Sequence, residues 1–285
     1  MILSTNTNTA IKRLGGAKAV ELIAKAGFDA LDYSMFDKEP CSSLLHDDNY
    51  EKGALDLKDV ATQWGVYFNQ AHAPFPSYIE NDDVYNKEAF AKIIKSMEIA
   101  SILGADSIVV HPFFAANDKK KRNIEFYNQL LPYCKQLNIK VALENMWGHD
   151  KKRDYIIANV CSTPNEFNEY LDALDSDYFT GCLDIGHCPL VGVDSADAIR
   201  AMGNKRITAL HVHDNNYKKD LHSMPYMDDL DWDSITTALK DVQYKGDFTF
   251  EVGSFFKNVP DDLLPNFYKL MHDVGRYLIS KCEWR

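Results

Sequence analysis

Short apolar runs recur along the chain at near-even spacing, and most stop on a group that binds metal or moves protons. YFNQAH ends at His72, SIVVH at His111, KVALE at Glu144 and FTFE at Glu251, while TGCLDIGH carries Asp184 and His187, and TALHVH carries His211. Runs such as SIVV, KVAL and FTF are apolar without polar alternation, the pattern of parallel strands covered on both faces. Strands are predicted over residues 2 to 6, 28 to 34, 67 to 72, 107 to 112, 140 to 145, 180 to 185, 207 to 213 and 247 to 252. Helical periodicity fills the intervals. From Lys87 to Leu103, Phe90, Ile93, Ile94, Met97 and Ala100 share one face and Gly104 supplies a stop. The other helices are predicted from Ala17 to Ala26, Tyr50 to Trp64, Lys121 to Leu137, Thr163 to Leu174, Ser195 to Met202, Trp232 to Val242 and Leu263 to Ser280. Capping residues mark several entries: Ser162 or Thr163 before Pro164 and Glu166, and Asp231 before Trp232.

Eight strand-helix units with no Gly/Ser linker and no break in composition predict a single closed (β/α)8 barrel, one domain over residues 1–285. A doubly wound open sheet is the runner-up. It would place a Gly-rich phosphate turn after the first strand, where Gly15 and Gly16 follow Lys12 and Arg13 without that pattern. The apolar fraction of 46% and charged fraction of 26% are those of an ordered globular chain.

In such a barrel, active residues sit at the C-terminal strand ends. Glu144, Asp184, His211 and Glu251 close the fifth to eighth predicted strands. Singly, Glu144 could serve a salt bridge and Asp184 a turn. Together, three carboxylates and an imidazole converging from adjacent strands would repel one another unless a cation neutralised them. The oxygen-rich set suits Mn²⁺, Mg²⁺ or Co²⁺, with Zn²⁺ an alternative. Phe75, Phe113, Trp147 and Phe255 follow strand ends and are candidates to wall a pocket. Core packing is the competing expectation, evenly balanced for Trp147 and favoured for the other three.

The net charge of −11 disfavours a protein built to hold a phosphate backbone. The basic runs Lys119, Lys120, Lys121, Arg122 and Lys151, Lys152, Arg153 are expected to be solvated faces. The six cysteines, Cys41, Cys134, Cys161, Cys182, Cys188 and Cys282, contain no CxxC pair and no disulfide framework, which fits a reducing cytoplasm. Cys182 and Cys188, beside the Asp184 motif, are read as buried small residues. No run has transmembrane length and the N-terminus lacks a signal pattern, so a soluble cytoplasmic protein without a membrane partner is expected. Oligomeric state is open, and a homo-oligomer is compatible with the sequence.

The motifs HAPF (72–75), VVHP (109–112), LEN (143–145), LDIGH (183–187), LHVHDN (210–215), DLH (220–222) and FEV (250–252) resemble the xylose isomerase-like TIM-barrel superfamily. That superfamily includes ketose 3-epimerases, hydroxypyruvate isomerase, inosose and dehydroshikimate dehydratases, and endonuclease IV. The resemblance spans nearly the whole chain and is specific for the superfamily rather than for one reaction. It implies that Glu144, Asp184, His211 and Glu251 bind the metal, and that Glu144 and Glu251 also form the acid/base pair of a sugar isomerase or epimerase. The implied chemistry is proton transfer through an enediolate on a keto-sugar or related polyol. His187 would hydrogen-bond a substrate oxygen or support a ligand. Ketose 3-epimerases carry an arginine six residues beyond the strand-seven histidine, where this chain has Tyr217 followed by Lys218 and Lys219. That departure bears on the epimerase assignment and not on the metal, and dehydration, which shares the first proton abstraction, is a close alternative.

A second alternative is a zinc phosphodiesterase, because endonuclease IV holds three zinc ions with residues that match His72, His111, His187, Asp220 and His222 as well as the inner four. The acidic chain favours the sugar reading, in which His72, His111, His187, Trp147 and His222 bind substrate. A non-catalytic sugar-binding barrel is the remaining alternative. The loop after Glu251 offers a modest phosphate signal in Gly253, Ser254 and Lys257, while His46, His149 and His272 match no motif.

Overall fold

The computed structural model describes residues 1–36 and 43–283, so Cys41 lies outside the described residues. In chain order the strands are β1 (Ile2–Asn6), β2 (Ala30–Ser34), β3 (Tyr67–His72), β4 (Ser107–Val109), β5 (Lys140–Glu144), β6 (Trp147–Asp150), β7 (Tyr155–Ala158), β8 (Phe179–Asp184), β9 (Ile207–Val212) and β10 (Asp247–Phe250). Eight of them close a parallel barrel in the order β1, β2, β3, β4, β5, β8, β9, β10, with β10 pairing back onto β1. β6 and β7 form an antiparallel hairpin outside it. The barrel is the predicted (β/α)8 architecture, and its eight strands are the eight predicted ones, with ends moved by up to three residues.

The helices are α1 (Asn8–Leu14), α2 (Gly16–Ala26), α3 (Tyr50–Gln63), α4 (Asp83–Leu103), α5 (Lys119–Leu137), α6 (Pro164–Leu174), α7 (His187–Leu190), α8 (Ser195–Met202), α9 (Trp232–Asp241) and α10 (Leu264–Cys282). Thr163 caps α6 by accepting from Glu166 N, and Asp231 caps α9 by accepting from Asp233 N and Ser234 N. α4 starts at Asp83 rather than Lys87 because the Asp82 carboxylate accepts from Tyr85 N. It stops at Gly104, whose φ of 87° is left-handed. Two helices and the hairpin were not predicted. α1 buries only Ala10 and Ile11, and WGHD in β6 has neither alternation nor an apolar run, so both are fixed by packing rather than by local pattern.

Side-chain parity decides what the barrel encloses, since alternate residues of a strand face opposite sides. Leu3, Leu31, Phe68, Ile108, Val141, Leu143, Leu183, Leu210 and Phe248 belong to the large core shared with the helices. The opposite parity carries Val109, Ala142, Cys182 and Ala209, a separate small cluster inside the barrel. Two residues further along β5, β8 and β9 the same parity reaches Glu144, Asp184 and His211. Ser4 and Thr249 hydrogen-bond at 2.7 Å in the same enclosed layer. No helix among the described residues is long and apolar enough to cross a membrane.

Candidate metal centre and substrate cavity

Glu144, Asp184, His211 and Glu251 offer ligand atoms that all lie within 4.8 Å of one another. His211 Nδ1 is 3.2 Å from Glu144 Oε1 and 3.3 Å from Glu251 Oε2. Asp184 pairs with His211 in the β8–β9 register. Glu251 follows the last residue of β10 rather than ending it, and His111 stands two residues beyond β4. In the metal-free chain, burial opposes charge on His211, but Cys182, Glu251 and Glu144 outweigh it and raise its pKa well above the usual imidazole value. Burial likewise opposes ionisation of Glu144, and His211 and His111 overcome it, leaving the carboxyl well below its usual range. Asp184 is lowered against burial by His187 and His213.

His72 and His111 flank Glu144 on its other side. His111 Nε2 lies 2.7 Å and His72 Nε2 3.7 Å from Glu144 Oε2, and the His72 ring stacks on His211 with centroids 5.6 Å apart. Burial lowers His111. For His72 burial acts the same way but is outweighed by Glu144 and Glu251, so its pKa is raised.

His187, His213, Asp220 and His222 form a second convergent group, again within 4.8 Å. Asp220 Oδ2 lies 3.1 Å from His222 Nε2 and 3.5 Å from His187 Nε2, and accepts from Trp147 Nε1 at 3.2 Å. Burial opposes the charges here too. The hydrogen bonds of His187 and His222 nevertheless hold the Asp220 carboxyl below the carboxylate range, and Asp220 with Glu251 pushes His222 up to about 10. His213 is the functional candidate missing from the sequence reading. Its position two residues after His211 within the predicted strand 207 to 213, hence with the same parity, was the available signal, although β9 itself ends at Val212.

A cavity of about 550 Å³ opens over these groups and is lined by Glu144, Glu251, His72, His111, His187, His222, Trp147 and Phe75 among others. Asp184 and His211 lie beneath it, fully buried. Phe113 and Phe255 follow the core expectation: Phe113 packs on Tyr78 and Phe126, and Phe255 on Phe256 and Phe267. Phe256 takes the wall position instead, and Trp147 and Phe75 line the cavity rather than packing only in the core. Among the described residues the cavity is lined by one lysine or arginine, Lys12 from the unpredicted α1, and not by Tyr217, Lys218 or Lys219; Tyr217 is 48% exposed. Gly253 and Ser254 reach the cavity whereas Lys257 does not.

The basic run on α5 is neutralised residue by residue. Lys119 meets Glu166 at 2.8 Å, Lys120 meets Glu169 at 2.8 Å, Lys121 meets Glu125 at 3.9 Å and Arg122 meets Glu80 at 2.5 Å. The five cysteines among the described residues are buried and free, and burial pushes the Cys182 thiol up to about 12.

The model of the family described as xylose isomerase-like TIM barrel matches residues 20–262. A protein of Sinorhizobium fredii, y4fM, described as uncharacterized, is 25% identical over 262 residues, covering 82% of this chain and 79% of its own. A D-psicose 3-epimerase of Enterocloster bolteae is 24% identical over 243 residues, covering 80% of this chain and 74% of its own. Among solved structures, the IOLI protein with a zinc atom superposes with a TM-score of 0.77 at 19% identity over 100% of both chains. A D-tagatose 3-epimerase-like protein superposes at 0.74 with 20% identity, covering 99% of both chains. At these identities the structural likeness carries the fold, while the family match covers most of the sequence. The chain belongs to the xylose isomerase-like TIM barrel family.

Proposed function

We propose that this protein is a divalent-metal-dependent sugar isomerase or epimerase that moves a proton through an enediolate on a keto-sugar or related polyol. The observation that supports this most is the convergence of Glu144, Asp184, His211 and Glu251 within 4.8 Å at the cavity floor, with both glutamates also lining the cavity. Three carboxylates and one imidazole in a buried site form a donor set that fits a hard or borderline divalent cation. These four residues would hold it. A bound cation would withdraw charge from a substrate carbonyl and its neighbouring hydroxyl.

Glu251, whose side chain is 14% exposed, reaches further into the cavity than Glu144, at 1%. One of the two takes the proton from carbon and the other returns it, so the faces from which they approach set the stereochemical outcome. His111 and His211 lie 2.7 Å and 3.2 Å from the Glu144 carboxylate and favour its charged form, the form from which it can take up a proton. His72, His111, His187 and His222 offer ring nitrogens to substrate hydroxyls. Trp147 and Phe75 supply the apolar wall against which a sugar carbon face can rest.

The reading is tested by incubating the Mn²⁺-loaded protein with a panel of keto-sugars in deuterated water. Deuterium in the recovered sugar without loss of water supports isomerisation or epimerisation. An enone or diketone absorbance assigns dehydration instead, and cleavage of an abasic-site duplex by a chain carrying three zinc ions assigns a phosphodiesterase.

A further inference from the structure

The strand-end motifs LDIGH and LHVHDN touch each other through His213 and Gly186, which are neither proposed ligands nor cavity wall, set against the proposed ligand Asp184. His213 is fully buried, with Nε2 3.0 Å from Asp184 Oδ1 and 3.2 Å from Oδ2. Its ring stacks on His222, centroids 4.1 Å apart and planes 21° apart. A Cβ placed on Gly186 would lie 2.1 Å from His213 Cε1 and 2.5 Å from Nε2. Gly186 has φ −72° and ψ −28°, a right-handed conformation open to any residue, so space rather than backbone freedom calls for glycine there.

The neighbours of His213 hold this arrangement. Asp214 accepts from Leu230 N at 3.1 Å, Tyr226 N at 2.9 Å and Trp232 Nε1 at 2.9 Å, tying down the loop that follows β9. Asn215 Nδ2 donates to Gly186 O at 2.6 Å, which sets the glycine against the ring.

We infer that His213 is a positioning residue that fixes the Asp184 carboxylate toward the cation site, and that Gly186 is glycine because the His213 ring fills the space of its side chain. This rests on the proposed reading of Asp184 as a ligand. A carboxylate between a cation and a hydrogen-bond donor keeps one orientation, and loss of such an outer partner weakens metal binding by about ten- to a hundredfold.

The test measures Mn²⁺ affinity and stoichiometry by calorimetry, with melting of the metal-free chain followed by circular dichroism. H213A is expected to bind Mn²⁺ about ten- to a hundredfold more weakly at unchanged stoichiometry. H213Q, whose amide nitrogen reaches the position of the imidazole Nε2, recovers most of the loss. G186A weakens binding to a similar degree, and G186A/H213A binds no more weakly than H213A, since both substitutions act on one contact. Should H213A be unfolded at the assay temperature, H213Q against H213N carries the comparison, because the shorter Asn amide cannot reach Asp184. Wild-type affinity in H213A alongside a defective D184N overturns the inference, as does additivity of G186A and H213A. Loss of a whole equivalent of metal in H213A also overturns it, since His213 would then be a ligand. Unchanged binding in D184N overturns the cation reading itself, and the inference with it.

Discussion

The Nε2 atoms of His211 and Gln70 lie 2.9 Å apart, and the Oε1 of the same Gln70 is buried without a hydrogen-bond partner. With the amide oxygen turned to the His211 side, Gln70 accepts the Nε2–H of that ring. The tautomer so fixed aims the Nδ1 lone pair at the space between Glu144 Oε1 and Glu251 Oε2, where the cation is proposed. Gln70→Leu is predicted to weaken Mn²⁺ binding by about ten- to a hundredfold, and Gln70→Glu, which still accepts, to retain most of it. Calorimetric titration checks this; an unimpaired Leu variant would remove Gln70 from the account.

Glu144→Gln and Glu251→Gln are each predicted to lower kcat by at least about a hundredfold, the usual contribution of a positioned acid or base. Glu251→Gln should do so with less loss of folded stability, because its side chain is 14% exposed against 1% for Glu144. Steady-state kinetics on the best keto-sugar, beside thermal melts, separates the two. Activity within a few-fold of wild type in both variants would leave no acid/base pair in this site.

Metal binding is predicted to strengthen with pH. In the metal-free chain the contacts of His211 raise its pKa well above 6.5, so at neutral pH a cation must displace a proton. Affinity should therefore fall about tenfold per unit as pH drops below the folded His211 pKa. Calorimetry in buffers of different ionisation enthalpy should detect the released proton. A pH-independent affinity across pH 6 to 8 would contradict the assignment of His211 as ligand.

Asp32 gives a prediction of opposite character. It is fully buried, neither carboxylate oxygen has a hydrogen-bond partner, and burial raises its pKa from 3.8 to about 6, helped by Glu251 and Glu144 and opposed by His72 and His211. A raised folded pKa means that the folded chain holds this proton where the unfolded chain has lost it. The resulting stabilisation is complete below pH 3.8 and lost as pH rises to about 6. At about 1.4 kcal/mol per unit, Asp32→Asn should gain on wild type by up to about 3 kcal/mol above pH 6 in the metal-free chain. Denaturant melts at pH 4 and pH 7 test this, and a pH-independent difference between the two chains would rule it out.

The barrel was legible because eight parallel strands buried on both faces must be written as short apolar runs, and because a strand has only two faces. The inner residues Glu144, Asp184 and His211 could be picked out since each stands at the end of such a run, where an ionisable group has no reason to be unless it is used. The hairpin of β6 and β7, the short α1 with Lys12, and the place of Phe256 rather than Phe255 on the cavity wall were not legible. Each depends on how a segment without a strong period is pressed against the barrel mouth.

His213 shows the boundary most sharply. The sequence by itself determined that His211 and His213 stand two apart at the end of one apolar run and that Asp184 ends another, because alternation and spacing are local properties of the chain. Only the tertiary structure decided that the first imidazole meets the glutamates while the second lies across Gly186 onto Asp184. That choice depends on register between β8 and β9 and on a space left by a missing side chain, quantities that exist only when the strands are side by side.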